Sequence, residues 1–176
     1  MFTGKLVRLR EYRESDLEKA LQFVNQADVS LNLYPTVPFP YTLEDERKWL
    51  SSQSARNPDY NFAIEDLATG TYIGGCGLKG TDWKNRNTEI GIMIGHEEYR
   101  NRGYGPDALN VLIRFIFGEM NLYKIKLNVF SFNKRAIRCY EKCGFLLEAT
   151  LKDEIFRDGR YHDIFRMVRF REKTSE

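Results

Sequence analysis

Seven segments of the chain show the apolar–polar alternation, or the flanking turns, that predict β-strands. They are Lys5–Arg10, Tyr60–Asp66, Thr71–Lys79, Thr88–Ile94, Lys124–Phe130, Phe145–Ile155 and Tyr161–Phe170. The turn residues Ala68-Thr69-Gly70 predict a hairpin between the second and third strands. Arg157-Asp158-Gly159-Arg160 predicts another hairpin between the last two strands.

Helices are predicted from apolar residues at helical spacing and from capping signals. The predicted helices are Asp16–Gln26, Leu43–Arg56, Tyr104–Met120 and Lys134–Lys142. Ser15 and Glu18 have the spacing of a capping box at the start of the first helix. Leu33–Tyr41, which contains three prolines, and the polar segment Gly80–Asn87 are expected to be loops.

The order of these segments is strand, two helices, three strands, helix, strand, helix, two strands. This order predicts an α/β (α+β) chain in which a mixed sheet carries helices on its faces. The 176 residues contain no linker or repeat, so we expect a single domain over residues 1–176.

Composition and charge narrow the functional classes. With 27 basic and 25 acidic residues, the chain has no global field that would attract nucleic acid or an anionic membrane. No apolar run is long enough to span a bilayer, and the N-terminus lacks a signal-peptide pattern. Three cysteines do not make a disulfide framework, and no His/Cys group has metal-ligand spacing. We therefore expect a cytoplasmic protein that binds no metal.

The segment Tyr99–Gly105, just before the longest predicted helix, is the strongest candidate for chemistry. Its glycines can turn backbone N–H groups toward an anion, and the helix dipole together with Arg100 and Arg102 adds positive charge. The pattern predicts a phosphate cradle. It is not a P-loop. The spacing Gly103-x-Gly105-x-x-Ala108 matches the dinucleotide-binding pattern, so a nucleotide-dependent oxidoreductase remains an alternative. However, no acidic residue follows at the distance at which such proteins bind the ribose of the nucleotide.

Four segments resemble the GNAT family of N-acetyltransferases. Arg100-x-x-Gly103-x-Gly105 resembles the family's coenzyme A loop, and Thr88–Ile94 resembles the strand before it. The segment from Asn133 to Phe145 resembles the family's Asn-x-x-Ala-x-x-x-Tyr-x-x-x-Gly-Phe pattern. Asp158-Gly159-Arg160-Tyr161 is similar to a turn in the subgroup that includes ribosomal-protein N-terminal and spermidine acetyltransferases.

The resemblance implies a GNAT-like, mostly antiparallel sheet of about seven strands with helices on both faces. It also implies that acetyl-CoA lies between the Thr88–Ile94 and Lys124–Phe130 strands. The implied cofactor-binding residues are Ile92, Met93, Ile94, Arg100, Asn101, Arg102, Gly103, Tyr104, Gly105, Asn133 and Tyr140.

Tyr140 is the family's general acid, and a phenol is protonated near neutral pH. Glu89 is the candidate base, with a role in orienting the substrate or a plain surface position as the alternatives. Candidate walls of the acceptor site are Tyr34, Phe39, Tyr41 and Trp83.

Acetyl transfer to a primary amine of a small molecule, of the polyamine or amino sugar type, is the leading hypothesis. The N-terminal amine of a ribosomal or other protein is the second. A module that binds acetyl-CoA without catalysis is the third. Exposed strand edges also favour a homodimer.

Overall fold

The structure is a computed structural model that describes residues 1–54 and 59–172. The described strands are β1 (Val7–Arg10), β2 (Asn61–Asp66), β3 (Tyr72–Asp82), β4 (Asn87–Ile94), β5 (Lys124–Phe130), β6 (Leu146–Arg157) and β7 (Arg160–Phe170). They form one mixed sheet in the order β1-β2-β3-β4-β5-β7-β6. All neighbouring pairs are antiparallel except β4 and β5, so the predicted mixed, mostly antiparallel sheet is confirmed.

The α-helices of the described chain are α1 (Leu17–Val24), α2 (Ala27–Leu33), α3 (Leu43–Ser52), α4 (Tyr104–Gly118) and α5 (Lys134–Lys142). Four of them match predicted segments, whereas α2 was not predicted. The predicted end of the second helix, Arg56, lies outside the described residues. The loop predicted over Gly80–Asn87 is shorter in the structure, because β3 extends to Asp82 and β4 begins at Asn87.

The predicted capping box at Ser15 and Glu18 is wrong. A short 3-10 helix, Glu14–Asp16, precedes α1, and no side chain caps α1. Asp16 instead accepts a hydrogen bond from the Arg13 backbone N–H at 2.9 Å, and its carboxylate binds the buried Arg10 guanidinium in bidentate geometry at 2.7 and 2.9 Å. The buried ion pair therefore determines how the chain enters α1.

Helices cover both faces of the sheet. Adjacent residues of a strand point to opposite faces. Ile64 of β2 belongs to the large core that contains the apolar stripe of α4, whereas its neighbour Ala63 packs with Ala20 and Phe23 of α1. Among the described residues, no helix is both long and apolar enough to cross a membrane.

The sheet divides between its two parallel strands. β4 and β5 pair over three residues, the last pair being Glu89 with Lys126. β4 then continues to Ile94, and β5 continues to Phe130 while paired with β7 on its other side. Backbone hydrogen-bonding groups on the β5 side of residues 90–94 are thus left without a strand partner.

Candidate active site

A cavity of about 260 Å³ lies where β4 separates from β5. Its wall is formed by the end of β4 that is not paired with β5, by the loop before α4, and by α5 and α2. Nine of the predicted cofactor-binding residues line it: Ile92, Met93, Ile94, Arg100, Asn101, Gly103, Gly105, Asn133 and Tyr140. The fold thus brings the strand and glycine-loop motifs, which are close in sequence, together with the more distant segment that contains Asn133 and Tyr140.

Two residues predicted to bind the cofactor lie outside this wall. Arg102 is exposed at the loop surface. Tyr104 points toward β2, where its hydroxyl donates a hydrogen bond of 3.3 Å to Asp66 Oδ1. Their predicted role in cofactor binding stays a prediction.

The loop before α4 has the backbone shape of an anion cradle. Gly103 is the N-cap of α4 and has a φ of 91°, which favours glycine, and no side chain caps the helix. A Cβ on Gly105 would lie 3.2 Å from Cys139 Sγ, so glycine allows α4 to approach α5 closely. The first N–H groups of the helix have no intrahelical partner and carry the positive end of its dipole. These features fit the pyrophosphate of a coenzyme A molecule.

The side chain of Arg100 makes its hydrogen bonds within the protein. Its guanidinium donates to the carbonyl oxygens of Ile94 and Gly95 at 2.9 and 2.8 Å, and to Gln26 Oε1 at 3.0 Å. It also forms an ion pair with Asp28. Its side chain therefore fastens the loop to β4 and to the start of α2, and the backbone of the loop is left to face the cavity.

Positive charge at the cavity comes from α5, which sequence reasoning missed. Arg135, Arg138 and Lys142 line the cavity with exposed side chains. Their spacing of three and four residues places them along one helix face, and this spacing was the available signal. Asn133 caps the same helix, because its Oδ1 accepts a hydrogen bond from the Ala136 N–H at 3.1 Å. Its amide NH₂ remains able to donate.

Tyr140 lies in the cavity wall and is 6% exposed. Burial raises the pKa of its phenol, and the neighbouring Cys139 and Cys143 raise it further. Its hydroxyl makes no hydrogen bond with the rest of the described chain. Tyr140 is therefore a protonated donor with a free O–H beside the cavity, as a general acid requires.

Glu89 is the last residue of β4 that pairs with β5, and it is half-buried. It lies on the same face of the strand as Met93, which is four residues, or roughly 13 Å, further along. It does not line the cavity. Its role as a base stays a prediction, and at this distance it would act through water.

The four predicted acceptor residues fall in three places. Tyr34 follows α2 and its ring lies 5.6 Å from that of Tyr41. Phe39 lies between them in sequence and is exposed. Trp83 is exposed in the turn between β3 and β4, at the end of β4 away from the cavity. Only Tyr34 and Tyr41 are thus in mutual contact.

Helix α3 carries a buried carboxylate whose charge acts on Tyr34. Glu46 of α3 is 6% exposed, and its side chain makes no hydrogen bond or ion pair with the rest of the described chain. Burial raises the pKa of Glu46. Its charge contributes to raising the pKa of Tyr34 and of Tyr72, after burial as the main cause. In the sequence, Glu44, Asp45 and Glu46 could attract a polyamine cation, but they also fit a solvated helix start, so the pattern does not predict that Glu46 is buried.

Among residues 1–54 and 59–172, no three His, Cys, Asp or Glu side chains are close enough to hold a metal ion.

Comparison with known proteins identifies the class. A family model described as an acetyltransferase (GNAT) domain matches residues 7–146. A prophage-derived N-acetyltransferase of Bacillus subtilis, YokL, is 28% identical over 92% of this chain and 88% of its own length. Spermidine N(1)-acetyltransferase of Vibrio cholerae is 34% identical over 73% of each chain.

The crystal structure of Vibrio cholerae spermidine N-acetyltransferase in complex with CoA and spermine has a TM-score of 0.84 and 26% identity. The match covers 95% of this chain and 96% of the other. The chain belongs to the GNAT acetyltransferase family. It is an N-acetyltransferase, and acetyl-CoA is its acyl donor.

Proposed function

We propose that this enzyme transfers the acetyl group of acetyl-CoA to a primary amine of a small molecule of the polyamine or amino sugar type, and that residues 1–176 act as one domain. The observation that carries the proposal is the convergence on one cavity of the end of β4 that lacks a β5 partner, the glycine cradle and Tyr140. Similarity to spermidine acetyltransferases supports the small-amine class.

Each part of the cavity has a role in this reaction. When bound, acetyl-CoA supplies a thioester whose carbonyl carbon accepts the amine. The β5 side of β4 near Met93 offers backbone N–H groups that stabilise negative charge on the carbonyl oxygen. As the C–N bond forms and the C–S bond breaks, Tyr140 donates its proton to the leaving sulfur. The amine loses a proton to water or, through water, to Glu89.

The acceptor side contains groups suited to an amine. Tyr34 and Tyr41 form an aromatic pair, and the buried Glu46 carboxylate, whose charge acts on Tyr34, would attract an ammonium group. A substrate ammonium would supply the partner that Glu46 lacks within the described chain. The positive charge of the substrate thereby selects its orientation.

The proposal is tested by measuring thiol release from acetyl-CoA with two panels of acceptors. One contains spermidine, putrescine and glucosamine, and the other contains short peptides with free N-termini. Turnover with the small amines supports the proposal. Activity on peptides alone would instead identify an N-terminal acetyltransferase. Binding of acetyl-CoA without turnover would identify a module that binds without catalysis.

A homodimer is part of the proposal. β6 is an edge strand, and its first residues Leu146 and Leu147 are exposed. Such an edge can pair with a second copy. Light scattering after size-exclusion chromatography decides the point, since a monomer at micromolar concentration would contradict it.

A further inference from the structure

The bonds of the buried Arg100 guanidinium run in two directions. Its side chain is 8% exposed. Toward β4, Nε and Nη2 donate to the carbonyl oxygens of Ile94 and Gly95. Toward α2, Nη1 forms an ion pair with Asp28 in the first turn, and Nη2 donates to the side chain of the N-cap residue Gln26. One side chain thus joins the loop before α4 to two separate elements.

Asp28 extends this link to the wall of the cavity. Its backbone carbonyl oxygen accepts a hydrogen bond of 2.7 Å from Nδ2 of Asn32, one helical turn further on. Asn32, Val29 and Leu33 are the residues that α2 contributes to the cavity wall. Asp28 itself does not line the cavity. It therefore contacts Arg100 through its side chain and the wall through its main chain.

Helix α2 is the wall of the cavity that has no predicted cofactor role. The end of β4, the segment from Arg100 to the start of α4, and α5 with its N-cap contain all nine wall residues that were predicted to bind acetyl-CoA. Helix α2 contains none of them, and its C-cap is Tyr34, a candidate acceptor residue. If the enzyme acetylates an amine as proposed, α2 is the wall that faces this acceptor.

The position of α2 depends on contacts of this kind. The helix has seven residues, and a helix of that length is not stable without tertiary contacts. We propose that Asp28 is a positioning residue for acetyl transfer: through Arg100 it holds α2 to the acetyl-CoA loop, so that the acceptor wall and the cofactor cradle form one unit. The inference rests on the proposed function and deepens it, because it names the contact that couples the two substrates.

This link has a consequence for binding. When acetyl-CoA steadies the loop, Arg100 and Asp28 steady α2 as well. The amine then meets a wall that is already ordered, and less of its binding energy is used to order that wall. Acetyl-CoA and the amine are therefore expected to favour the binding of one another, and the loss of Asp28 is expected to weaken this coupling.

The first test separates α2 from the loop. Asp28→Ala removes the ion pair but leaves the bonds from Arg100 to β4 in place. With the amine of the acceptor panel that turns over best, we expect KM to rise roughly threefold to tenfold, as for loss of a partly exposed charged hydrogen bond, while kcat and the Kd of acetyl-CoA change by less than about twofold. Asp28→Glu restores the charge and is expected to recover part of the affinity for the amine.

Glu97→Ala is the matched control. Its carboxylate also lies near Nη1 of Arg100, at 3.9 Å, but Glu97 belongs to the short 3-10 helix before the loop and not to α2. The variant therefore removes the same charge from the same guanidinium without releasing α2, and KM for the amine is expected to stay unchanged. An equal rise in KM for both variants would show an effect of charge alone and would overturn the inference.

A double-mutant cycle tests whether Asp28 acts through Arg100. A carboxylate in the first turn of a helix also stabilises the helix through its dipole, and Asp28 occupies such a position. If Asp28 acts through Arg100, Asp28→Ala raises KM for the amine in the wild type but not in Arg100→Gln. If it raises KM by the same factor in both backgrounds, Asp28 only stabilises its own helix and the inference is wrong.

Hydrogen exchange gives a readout that does not depend on turnover. Acetyl-CoA is expected to slow the exchange of the amides of Ala27–Leu33 in the wild type and in Glu97→Ala, and to slow it less in Asp28→Ala. Equal slowing in all three proteins, or an unchanged KM for the amine in Asp28→Ala, overturns the inference and leaves the proposed function intact. No turnover with any amine would contradict the proposed function, and the exchange of α2 would still decide whether Asp28 links it to the loop.

Discussion

The Nε of Arg100 donates a hydrogen bond of 2.9 Å to the carbonyl oxygen of Ile94, so the loop before α4 is fastened to the last residue of β4. Arg100→Gln removes this bond and the ion pair with Asp28. We expect a loss of roughly 2–3 kcal/mol of stability, typical of partly buried charged hydrogen bonds. We also expect weaker acetyl-CoA binding, because the cradle is no longer held in place. Thermal unfolding and calorimetric titration measure the two effects.

Arg102→Gln is the matched control for Arg100, since Arg102 is exposed in the same loop and does not line the cavity. We expect its melting temperature to stay close to that of the wild type, while a change in acetyl-CoA affinity measures the predicted role of Arg102 in cofactor binding. If Arg102→Gln weakens acetyl-CoA binding as much as Arg100→Gln does, the loop contributes to binding through its net charge and not through the hydrogen bonds of Arg100 that hold it in place.

Tyr140→Phe is expected to lower kcat by about 10²- to 10³-fold, within the range for loss of a general acid. The ring and its packing on Phe145 stay, so the melting temperature and KM for acetyl-CoA should change little. Burial raises the pKa of Tyr140 above its ordinary value of about 10, so the proton is fully present from pH 6 to 9. If kcat of the wild type decreases with rising pH at a pKa below 9, and this decrease is absent in Tyr140→Phe, the assignment would be contradicted.

Glu46→Gln is expected to raise the melting temperature at pH 7. Burial raises the pKa of Glu46 above 4.5, so the folded protein favours the protonated acid. The penalty for a buried charge is absent below pH 4.5 and is fully present once the pH exceeds the raised pKa. The variant should therefore match the wild type in thermal unfolding at pH 4 and exceed it at pH 7. KM for the amine should rise in the same variant.

The basic face of α5 is expected to bind the phosphates of coenzyme A. Arg135→Gln, Arg138→Gln and Lys142→Gln should each weaken binding by up to about fivefold at low salt, as for exposed ion pairs, with a smaller effect at high salt. Lys134→Gln, also exposed on α5 and not in the cavity wall, is the control. Titration with CoA and with dephospho-CoA shows which phosphate is bound. Equal losses for both ligands would exclude the 3′-phosphate as the partner.

Much of this architecture could be predicted because it follows from local patterns. The strands, α4 and the hairpin turns have strong periodicity or turn residues, and the glycine loop, Tyr140 and Asn133 belong to motifs. α2 was missed because Val29, Leu31 and Leu33 alternate as in a strand. Residues whose environment depends on distant segments were also missed. Arg157 and Glu46 stand in polar stretches, and only the folded chain shows that both are buried.

The three-residue pairing between β4 and β5 has a mechanical consequence. Beyond Glu89 the two strands share no hydrogen bonds, so the distance between them depends on the helices α4 and α5 that pack on them. There, a methyl group on Gly105 would lie only 3.2 Å from Cys139 Sγ, and Cys143 Sγ lies 3.7 Å from the Pro106 carbonyl oxygen. We therefore expect the volume of the side chains at this helix contact to influence how wide the opening between the two strands is.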